Sequence, residues 1–393
     1  MSVWDVLIGQ SEAIGALRAA AIAGQDVAAG RPTAPGALTH AWLFTGPPGS
    51  GRSVAARALA AALQCTEPDA EGPGCGRCQG CHTTLTGTHP DVRVINPEGL
   101  SIGVDEMRAV VGAAARRPVL GFWQVMIIED ADRLTEGAAN ALLKAVEEPP
   151  DRTLFLLCAP STHPDDVSVT LQSRCRRLTL RTPPTEAIAA VLRADGNDEY
   201  TSQWVALAAQ GHVGRARRLA GDADARQRRA EVLAIPSSLR TMADCFTAAD
   251  HLLRAANAES SALTTGRDAG ETDALKIALG AGGTGKGALA VGRGTAGAVK
   301  ELEKSQKSRA TRTRRDVLLR HAGEAANGGH RSRPVQPAHP DAAGAVADVA
   351  KVVSPAQALH RLDAVLECRE ALELNVKPQI AVEALMMALR LPH

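Results

Sequence analysis

The sequence predicts a parallel α/β domain at its amino end, followed by helical segments. From Val3 to about Leu180, helical patterns alternate with short apolar runs, which is typical of a parallel sheet. The runs Val125–Ile128 and Thr153–Cys158 are apolar on both faces, as strands buried between helices are. Aromatic residues make up only 2% of the 393 residues against 45% hydrophobic residues overall. The cores must therefore be built mainly from Ala, Leu and Val, which favours packed helices.

A phosphate-binding loop is predicted between the first strand and the next helix. His40–Thr45 suits a buried strand, and Val54–Leu63 is an alanine-rich helix that opens at Ser53. Residues 46–53 between them approach G-x-x-x-x-G-K-[ST], in which backbone N–H groups and a lysine bind phosphates and a hydroxyl ligates Mg²⁺. The candidate nucleotide-binding residues are Gly46, Gly49, Ser50, Gly51, Arg52 and Ser53.

Arg52 stands where the motif has lysine. A guanidinium is planar, bulkier and stricter in geometry than an ammonium, so the exchange is not conservative. The loop is therefore expected to hold ATP and Mg²⁺ weakly or not at all.

Two acids end the strand Val125–Ile128. Glu129 and Asp130 stand where a P-loop ATPase carries its magnesium-binding and water-activating acids, but the usual order is Asp and then Glu. A misplacement of about 1 Å can cost ~10²-fold in rate, so in-line attack by water is expected to fail. The alternative is a simple acidic cap of the strand. The next helix is predicted over Thr135–Glu148 and is stopped by two prolines.

Four cysteines cluster after the alanine-rich helix. Their spacing is C-x9-C-x2-C-x2-C, and four thiolates suit a closed, structural tetrahedral Zn²⁺ site. One alternative is four unliganded thiols. Another is haem attachment through C-x-x-C-H ending at His82, which needs an oxidising compartment and leaves two cysteines unexplained. The candidate ligands are Cys65, Cys75, Cys78 and Cys81.

The rest of the chain is predicted to be helical, with one exception. A hinge at 182–185 precedes a small helical unit that ends near Gly221, and the last helical run covers Pro355–Leu391. The region 262–345 is predicted to be flexible or divergent. Within it Gly280–Gly287 imitates a second phosphate loop, but no strand precedes it and Gly287 offers no hydroxyl.

Charge and hydropathy argue against two classes of protein, bulk nucleic-acid binders and membrane proteins. The formal net charge is +1, which argues against a protein that grips nucleic acid by bulk electrostatics. Val299–His321 is a charged helical stretch and is predicted to be solvated, with contact to nucleic acid as the alternative. A leader pattern and an apolar run long enough for a membrane span are both missing, so the expectation is a soluble, cytoplasmic chain without membrane contact.

Five sequence features together resemble one family. They are Trp4–Gln10, the phosphate loop, the four-cysteine insertion, Asn140–Pro150 and the triplet Ser173-Arg174-Cys175. In these the chain is similar to the AAA+ clamp-loader subunits of bacterial DNA polymerase III. With its altered lysine and acids, it most resembles the delta-prime, or stator, type.

The resemblance implies an architecture and a set of partners. The domains would be a P-loop α/β module with a zinc insertion (1–181), a helical lid (182–234) and a helical collar for oligomerisation (235–393). The partners would be delta and tau/gamma subunits in a hetero-pentamer, which loads a sliding clamp on primer-template DNA during replication. The chain would be a non-hydrolysing component of a DNA-directed DNA polymerase (nucleotidyltransferase) holoenzyme.

The resemblance also implies roles for single residues. Arg174 would act in trans on the ATP of a neighbouring subunit, a contribution worth ~10³–10⁵ in rate. Arg215 would be a second contact to nucleotide, from the lid. At the strand-end sensor position, Ala159 or Pro160 replaces a polar residue.

Two other functions require residues that this sequence lacks. An ATP-hydrolysing motor subunit of the tau/gamma type requires lysine at 52, Asp-Glu at 129–130 and a polar sensor, none of which is present. A zinc-dependent nucleic-acid-binding module requires a basic face with stacking aromatics, and the chain has only four Trp, four Phe and one Tyr.

Overall fold

The protein is represented by a computed structural model, which describes residues 2–97, 101–278, 288–326, 343–374 and 376–391. A five-stranded parallel sheet has the order β2-β3-β4-β1-β5. Its strands are β1 Ala41–Thr45, β2 Val92–Ile95, β3 Gln124–Ile128, β4 Thr153–Ala159 and β5 Arg176–Thr179. The predicted parallel α/β domain is confirmed, and the predicted strands lie within one residue of β1, β3 and β4.

Alternate residues of each strand enter two different cores, because successive side chains of a strand point to opposite faces. In β1, Trp42 and Phe44 pack on one face with the first two helices and the four cysteines. Ala41 and Leu43 pack on the other face with helices that follow β2 and β3. Both faces are covered, which explains why the strand sequences are apolar throughout.

Nine helices are described up to residue 221. The helix predicted over Thr135–Glu148 is confirmed, with Thr135 as the N-cap whose side chain accepts a hydrogen bond from the Ala138 N–H. The nine are α1 Ser11–Ala28, α2 Arg52–Leu63, α3 Gln79–Leu85, α4 Val104–Ala114, α5 Glu136–Glu147, α6 Val169–Gln172, α7 Thr185–Ala194, α8 Glu199–Ala208 and α9 Val213–Gly221.

The chain divides into two compact units, residues 1–217 and 218–393. The second unit is helical throughout its described part. Its helices are α10 Ala223–Ser238, α11 Met242–Ala278, α12 Ala288–Ala326, α13 Ala343–Val352, α14 Pro355–Glu373 and α15 Pro378–Ala388. The finer division into three domains stays a prediction.

The region 262–345, predicted to be flexible or divergent, contains long helices in its described part. Most of this region is helix: α11 continues to Ala278, α12 covers 288–326 and α13 begins at Ala343. The glycines suggested irregular chain, but α11 and α12 lie side by side and bury Val317, Leu318 and Ala322 in a common core. Tertiary packing therefore overrides weak local propensity. The imitation phosphate loop at 280–287 lies outside the described residues.

None of the helices within the described ranges combines the length and the apolar character needed to cross a lipid bilayer.

Candidate nucleotide and metal sites

The phosphate loop connects β1 to α2, as predicted. The Gly46 N–H donates to the Pro160 carbonyl at 3.2 Å, and the Ser50 N–H donates to the Pro47 carbonyl at 3.1 Å. Gly51 has φ 95° and caps α2. A cavity of about 300 Å³ lies beside the loop. It is lined by Val6, Leu7, Ile8, Gly49, Ser50, Gly51, Arg52, Ser53, Val54, Pro183, His212, Val213 and Gly214.

Arg52 turns back onto its own loop. Its Nη1 donates a hydrogen bond to the Gly46 carbonyl. The cationic group that replaces the motif's lysine is thereby engaged by the backbone of the phosphate loop. Arg52 lines the cavity, and its guanidinium contacts the backbone of its own loop.

Glu129 is also held inside the chain. It follows β3, and its Oε1 lies 3.0 Å from Arg57 Nη2 and 3.2 Å from Arg57 Nε, on helix α2. Its side chain is 16% exposed, so the ion pair is partly shielded from water. Asp130 has φ 57°, in the left-handed region, where the chain turns from β3 into a short 3-10 helix.

Sequence reasoning missed Arg57. It lies in mid-helix five residues after Arg52, and no motif marks that position. Only the packing of α2 beside the end of β3 brings Arg57 to Glu129. The carboxylate proposed for magnesium therefore already has a cationic partner.

The predicted loss of a polar sensor fits the geometry. Ala159 is the buried last residue of β4, and the Pro160 carbonyl accepts the Gly46 N–H. The thiol before them, Cys158, is also buried, and burial raises its pKa to about 12. It is a neutral group at ordinary pH. None of the three side chains brings charge to the loop.

The segment that starts α9 closes one side of the cavity. Gly49 has φ 87°, and a Cβ there would lie 2.8 Å from His212 Cβ, so only glycine allows this approach. His212 Nδ1 accepts the Arg215 N–H at 3.2 Å. Arg215, the predicted second contact, is next to the cavity but is not among the described residues that line it. His212 takes the lining position instead.

Arg174 lies at the surface, away from this cavity. Its Nη1 donates to the Thr170 carbonyl at 2.8 Å, and its Nη2 pairs with Glu147 at the end of α5. About a third of the side chain stays exposed. The structure thus separates the predicted site residues into a loop group and one outward-facing arginine.

The four cysteines form one buried cluster, and their sulfurs all lie within 4.8 Å of one another. Cys65 Sγ is 3.8 Å from Cys75 Sγ and 3.9 Å from Cys78 Sγ. Tetrahedral Zn–S bonds of about 2.3 Å place sulfurs about 3.8 Å apart. The cluster therefore fits a tetrahedral metal ion, which Cys65, Cys75, Cys78 and Cys81 would hold.

Backbone contacts support the cluster. The N–H groups of Cys78 and Cys81 donate to the sulfurs of Cys75 and Cys78 at 3.3 and 3.4 Å. A hydrogen bond with Cys81 lowers the pKa of the Cys65 thiol to about 4. Gly80 carries no side chain for a steric reason, since a Cβ there would lie 2.0 Å from the Gln64 carbonyl oxygen. The thiolate form, which metals bind, is thus favoured at Cys65, whereas burial raises the pKa of Cys75 and the hydrogen bond with Cys65 raises that of Cys81.

Comparison with known proteins shows which family part of the chain resembles. Residues 31–184 match the family described as DNA polymerase III, delta subunit. The chain is similar to DNA polymerase III subunit delta' of Escherichia coli K12, with 40% identity over 126 residues, which cover 32% of this chain and 37% of that protein. For subunit delta' of Pseudomonas aeruginosa PAO1 the identity is 37% over 159 residues, which cover 36% and 48%.

More distant relatives have related names. DNA polymerase III subunit tau of Bacillus subtilis is 35% identical over 126 residues, covering 32% of this chain and 22% of that protein. A crystal structure of a DNA polymerase III gamma subunit-related protein from Thermotoga maritima aligns over 90% of this chain and 94% of that chain, with 17% identity and a TM-score of 0.44. That score is too low to carry an argument.

The chain spans less than half the length of the delta' proteins it matches, 37% and 48% in the two cases. The similarity is thus confined to the sheet-containing module with its loop and cysteine cluster.

Proposed function

We propose that this protein is a delta-prime, or stator, subunit of a DNA polymerase III clamp loader. It would support ATP-driven loading of a sliding clamp on primer-template DNA without hydrolysing ATP in its own pocket. The observation that carries the proposal is the engagement of Arg52 by the Gly46 carbonyl of its own phosphate loop. The similarity of residues 31–184 to this family, and of the chain to delta' proteins, supports the same function.

A P-loop ATPase needs two charged groups that this chain uses internally. The cation at position 52 should reach the β- and γ-phosphates, but here it binds the loop backbone. The acid after β3 should hold Mg²⁺, but Glu129 forms an ion pair with Arg57. Binding nucleotide productively would require breaking both contacts and separating a partly buried ion pair. The pocket is therefore expected to bind ATP and Mg²⁺ weakly or not at all.

Arg174 is suited to act on another subunit. Its guanidinium is partly exposed, and Glu147 and the Thr170 carbonyl hold its side chain at the surface. To meet a phosphate, Arg174 would exchange its contact with Glu147, and such a partly exposed ion pair costs little to break. In the proposed hetero-pentamer with delta and tau/gamma subunits, Arg174 would stabilise the charge that develops on ATP bound next door.

The cysteine cluster would hold one structural Zn²⁺. Four thiolates fill the coordination of tetrahedral zinc and leave no open position for catalysis. The ion would tie the end of α2 to α3 in a segment with little core of its own. Its proposed role is to stabilise this module rather than to take part in the reaction.

A reconstituted loader tests the trans role of Arg174. Arg174→Ala should lower the DNA-stimulated ATPase rate without preventing assembly, because an arginine finger contributes ~10³–10⁵ at the site that it serves. Arg177→Ala is the matched control, since Arg177 is an exposed arginine on β5 close in sequence. An unchanged rate in the Arg174 variant would remove the trans-arginine role. Vigorous turnover by the isolated chain would contradict the stator proposal itself.

A further inference from the structure

Helix α12 concentrates positive charge in a nearly neutral protein. Between residues 299 and 315 the chain carries seven Lys and Arg against two Glu, although the whole chain has a net charge of +1. The prediction that this helix is exposed to solvent holds for only one of its faces.

The other face of α12 packs against α11 in an antiparallel pair. The Ser260 hydroxyl donates to the Ala310 carbonyl, and Gln306 donates to the Asp268 carbonyl, so partners move down one helix as they move up the other. Arg309 also faces α11, where it pairs with Asp268 and Glu271. Two acids of α11 are therefore neutralised within the pair.

The exposed face carries four cations that we call the basic stripe. They follow the spacing i, i+4, i+7 and i+14, which places them on one side of a helix. All four are exposed, and so is Thr311, which lies at i+11 between the last two. The stripe consists of Lys300, Lys304, Lys307 and Arg314.

The stripe is long and regular enough to follow a polyanion. At 1.5 Å per residue it extends for about 21 Å, and duplex DNA carries one negative charge per about 1.7 Å of axis. Arg314 also donates to Asn257 Oδ1 at 3.3 Å, which fixes one end of the row on α11. Glu303, which is also exposed, lies beside the stripe, three residues after Lys300 and four before Lys307. The four cations outnumber this acid, so the surface stays positive.

We propose that the basic stripe of α12 binds the phosphate backbone of double-stranded DNA without sequence specificity. The contact belongs to the helical second unit and does not depend on the stator function. The chain could act as a stator without binding DNA through the stripe. It could also bind DNA through the stripe without acting as a stator.

Other polyanions fit less well. A membrane-surface helix needs an apolar face to insert, but the apolar residues Val317, Leu318 and Ala322 of α12 are buried in the core of the second unit. Single-stranded binding usually adds aromatic stacking, and residues 299–326 contain no Trp, Tyr or Phe. A regular row of cations without stacking side chains is typical of duplex backbone binding.

Fluorescence anisotropy with the full-length chain and a labelled random-sequence duplex, about twenty base pairs long, tests the proposal. Four cations predict a slope of log K against log salt of about −3.6. The triple variant Lys300→Ala, Lys304→Ala, Lys307→Ala should bind at least about tenfold more weakly near 0.1 M salt, with a slope closer to zero by about 2.7. Alanine favours the helix at exposed positions, so the fold should be kept, which circular dichroism checks.

Two further variants make the result decisive. The matched control replaces the exposed residues Lys351, Arg369 and Lys377 of the same unit by Ala and should keep wild-type affinity. Replacing the three stripe lysines by Arg should also keep it, because the charge is retained. Unchanged binding by the Ala stripe variant, an equal loss in the control, or a loss confined to single-stranded probe would each overturn the proposal.

Discussion

Two side-chain nitrogens of Arg57 donate to one carboxylate oxygen of Glu129, at 3.2 and 3.0 Å, across 72 residues of sequence. The pair links helix α2 to the end of β3. It neutralises the acid that a hydrolysing relative would offer to Mg²⁺. Restoring the motif's lysine at position 52 therefore should not by itself produce ATP hydrolysis.

Arg52→Lys should separate nucleotide binding from hydrolysis. The exchange removes the hydrogen bond to Gly46 and supplies the compact cation of the motif. A charge-assisted hydrogen bond is worth about 1.5–3 kcal/mol, so ATP affinity should rise at least about tenfold. Turnover should stay at background, since Glu129 remains paired. Isothermal titration and a phosphate-release assay measure the two quantities.

Arg52→Ala serves as the control for this variant. It also frees Gly46 but adds no cation, so its gain in affinity should be smaller. Turnover in the Lys variant comparable to that of a motor subunit would show that the Arg57–Glu129 pair does not block the site.

Cys75→Ser should remove the proposed zinc. Elemental analysis should give about one zinc for the wild-type chain and nearly none for the variant, because serine is a poor ligand for a soft site. The unfolding midpoint should fall by at least about 5 °C, which for a domain of this size is roughly 2 kcal/mol. Cys175→Ser lies outside the cluster and should keep the metal. Wild-type chain without zinc would refute the metal assignment.

Asp91→Asn should destabilise the first unit. The buried carboxylate accepts the N–H groups of Val119, Leu120 and Gly121 at 2.7, 2.8 and 2.7 Å. An amide can accept at only one of its two heavy atoms, so unfolding in urea near pH 7 should need about 1.5–3 kcal/mol less. Asp105→Asn, at a side chain that is 92% exposed, should change stability by less than about 0.5 kcal/mol.

The pH dependence of the Asp91 contribution has a definite sign. Burial opposes ionisation, but the three backbone hydrogen bonds outweigh it and hold the pKa of Asp91 below its usual value. The stabilisation is present above the unfolded-state pKa of about 3.9 and is lost as pH falls through the lower folded-state value. The Asn variant should therefore lose less stability than wild type on acidification. Parallel curves for the two proteins would contradict this role.

Glu259→Gln should destabilise the second unit strongly. Glu259 is buried and contacts Arg218, Arg320 and His321, with its Oε1 2.5 Å from Arg320 Nη2 and its Oε2 2.7 Å from His321 Nε2. Removing one partner of such a buried group costs about 3–5 kcal/mol. Glu367→Gln, an exposed change on α14, is the matched control. Urea unfolding measures the free energy of unfolding of both variants. If Glu259→Gln lowered it as little as the control does, Glu259 and its three partners would have no structural role.

The contribution of Glu259 to stability should depend on pH with the same sign as that of Asp91. Burial opposes ionisation of Glu259, but the hydrogen bond with His321 and the charges of Arg320 and Arg218 prevail and hold its pKa well below the usual range. Its contribution is present above about pH 4.3 and is lost only when pH falls through the folded-state value.

The sequence alone determined the local elements of this protein. The apolar runs before residues 46 and 129, the glycine loop and the spacing of the four cysteines each depend on neighbouring residues. The strands β1 and β3, the glycine loop between β1 and α2 and the four-cysteine cluster could therefore be predicted. The same patterns gave the order of strands and helices that leads to a parallel sheet.

Only the tertiary structure decided how the charged groups are used. The Arg57–Glu129 and Arg174–Glu147 pairs join residues far apart in sequence, and local patterns carry no information about such partners. The helices in region 262–345 also depend on packing, because α11 and α12 support each other where propensity alone is weak. Sequence thus determined which groups are available, and the packing of distant segments determined which of them remain exposed to bind another molecule.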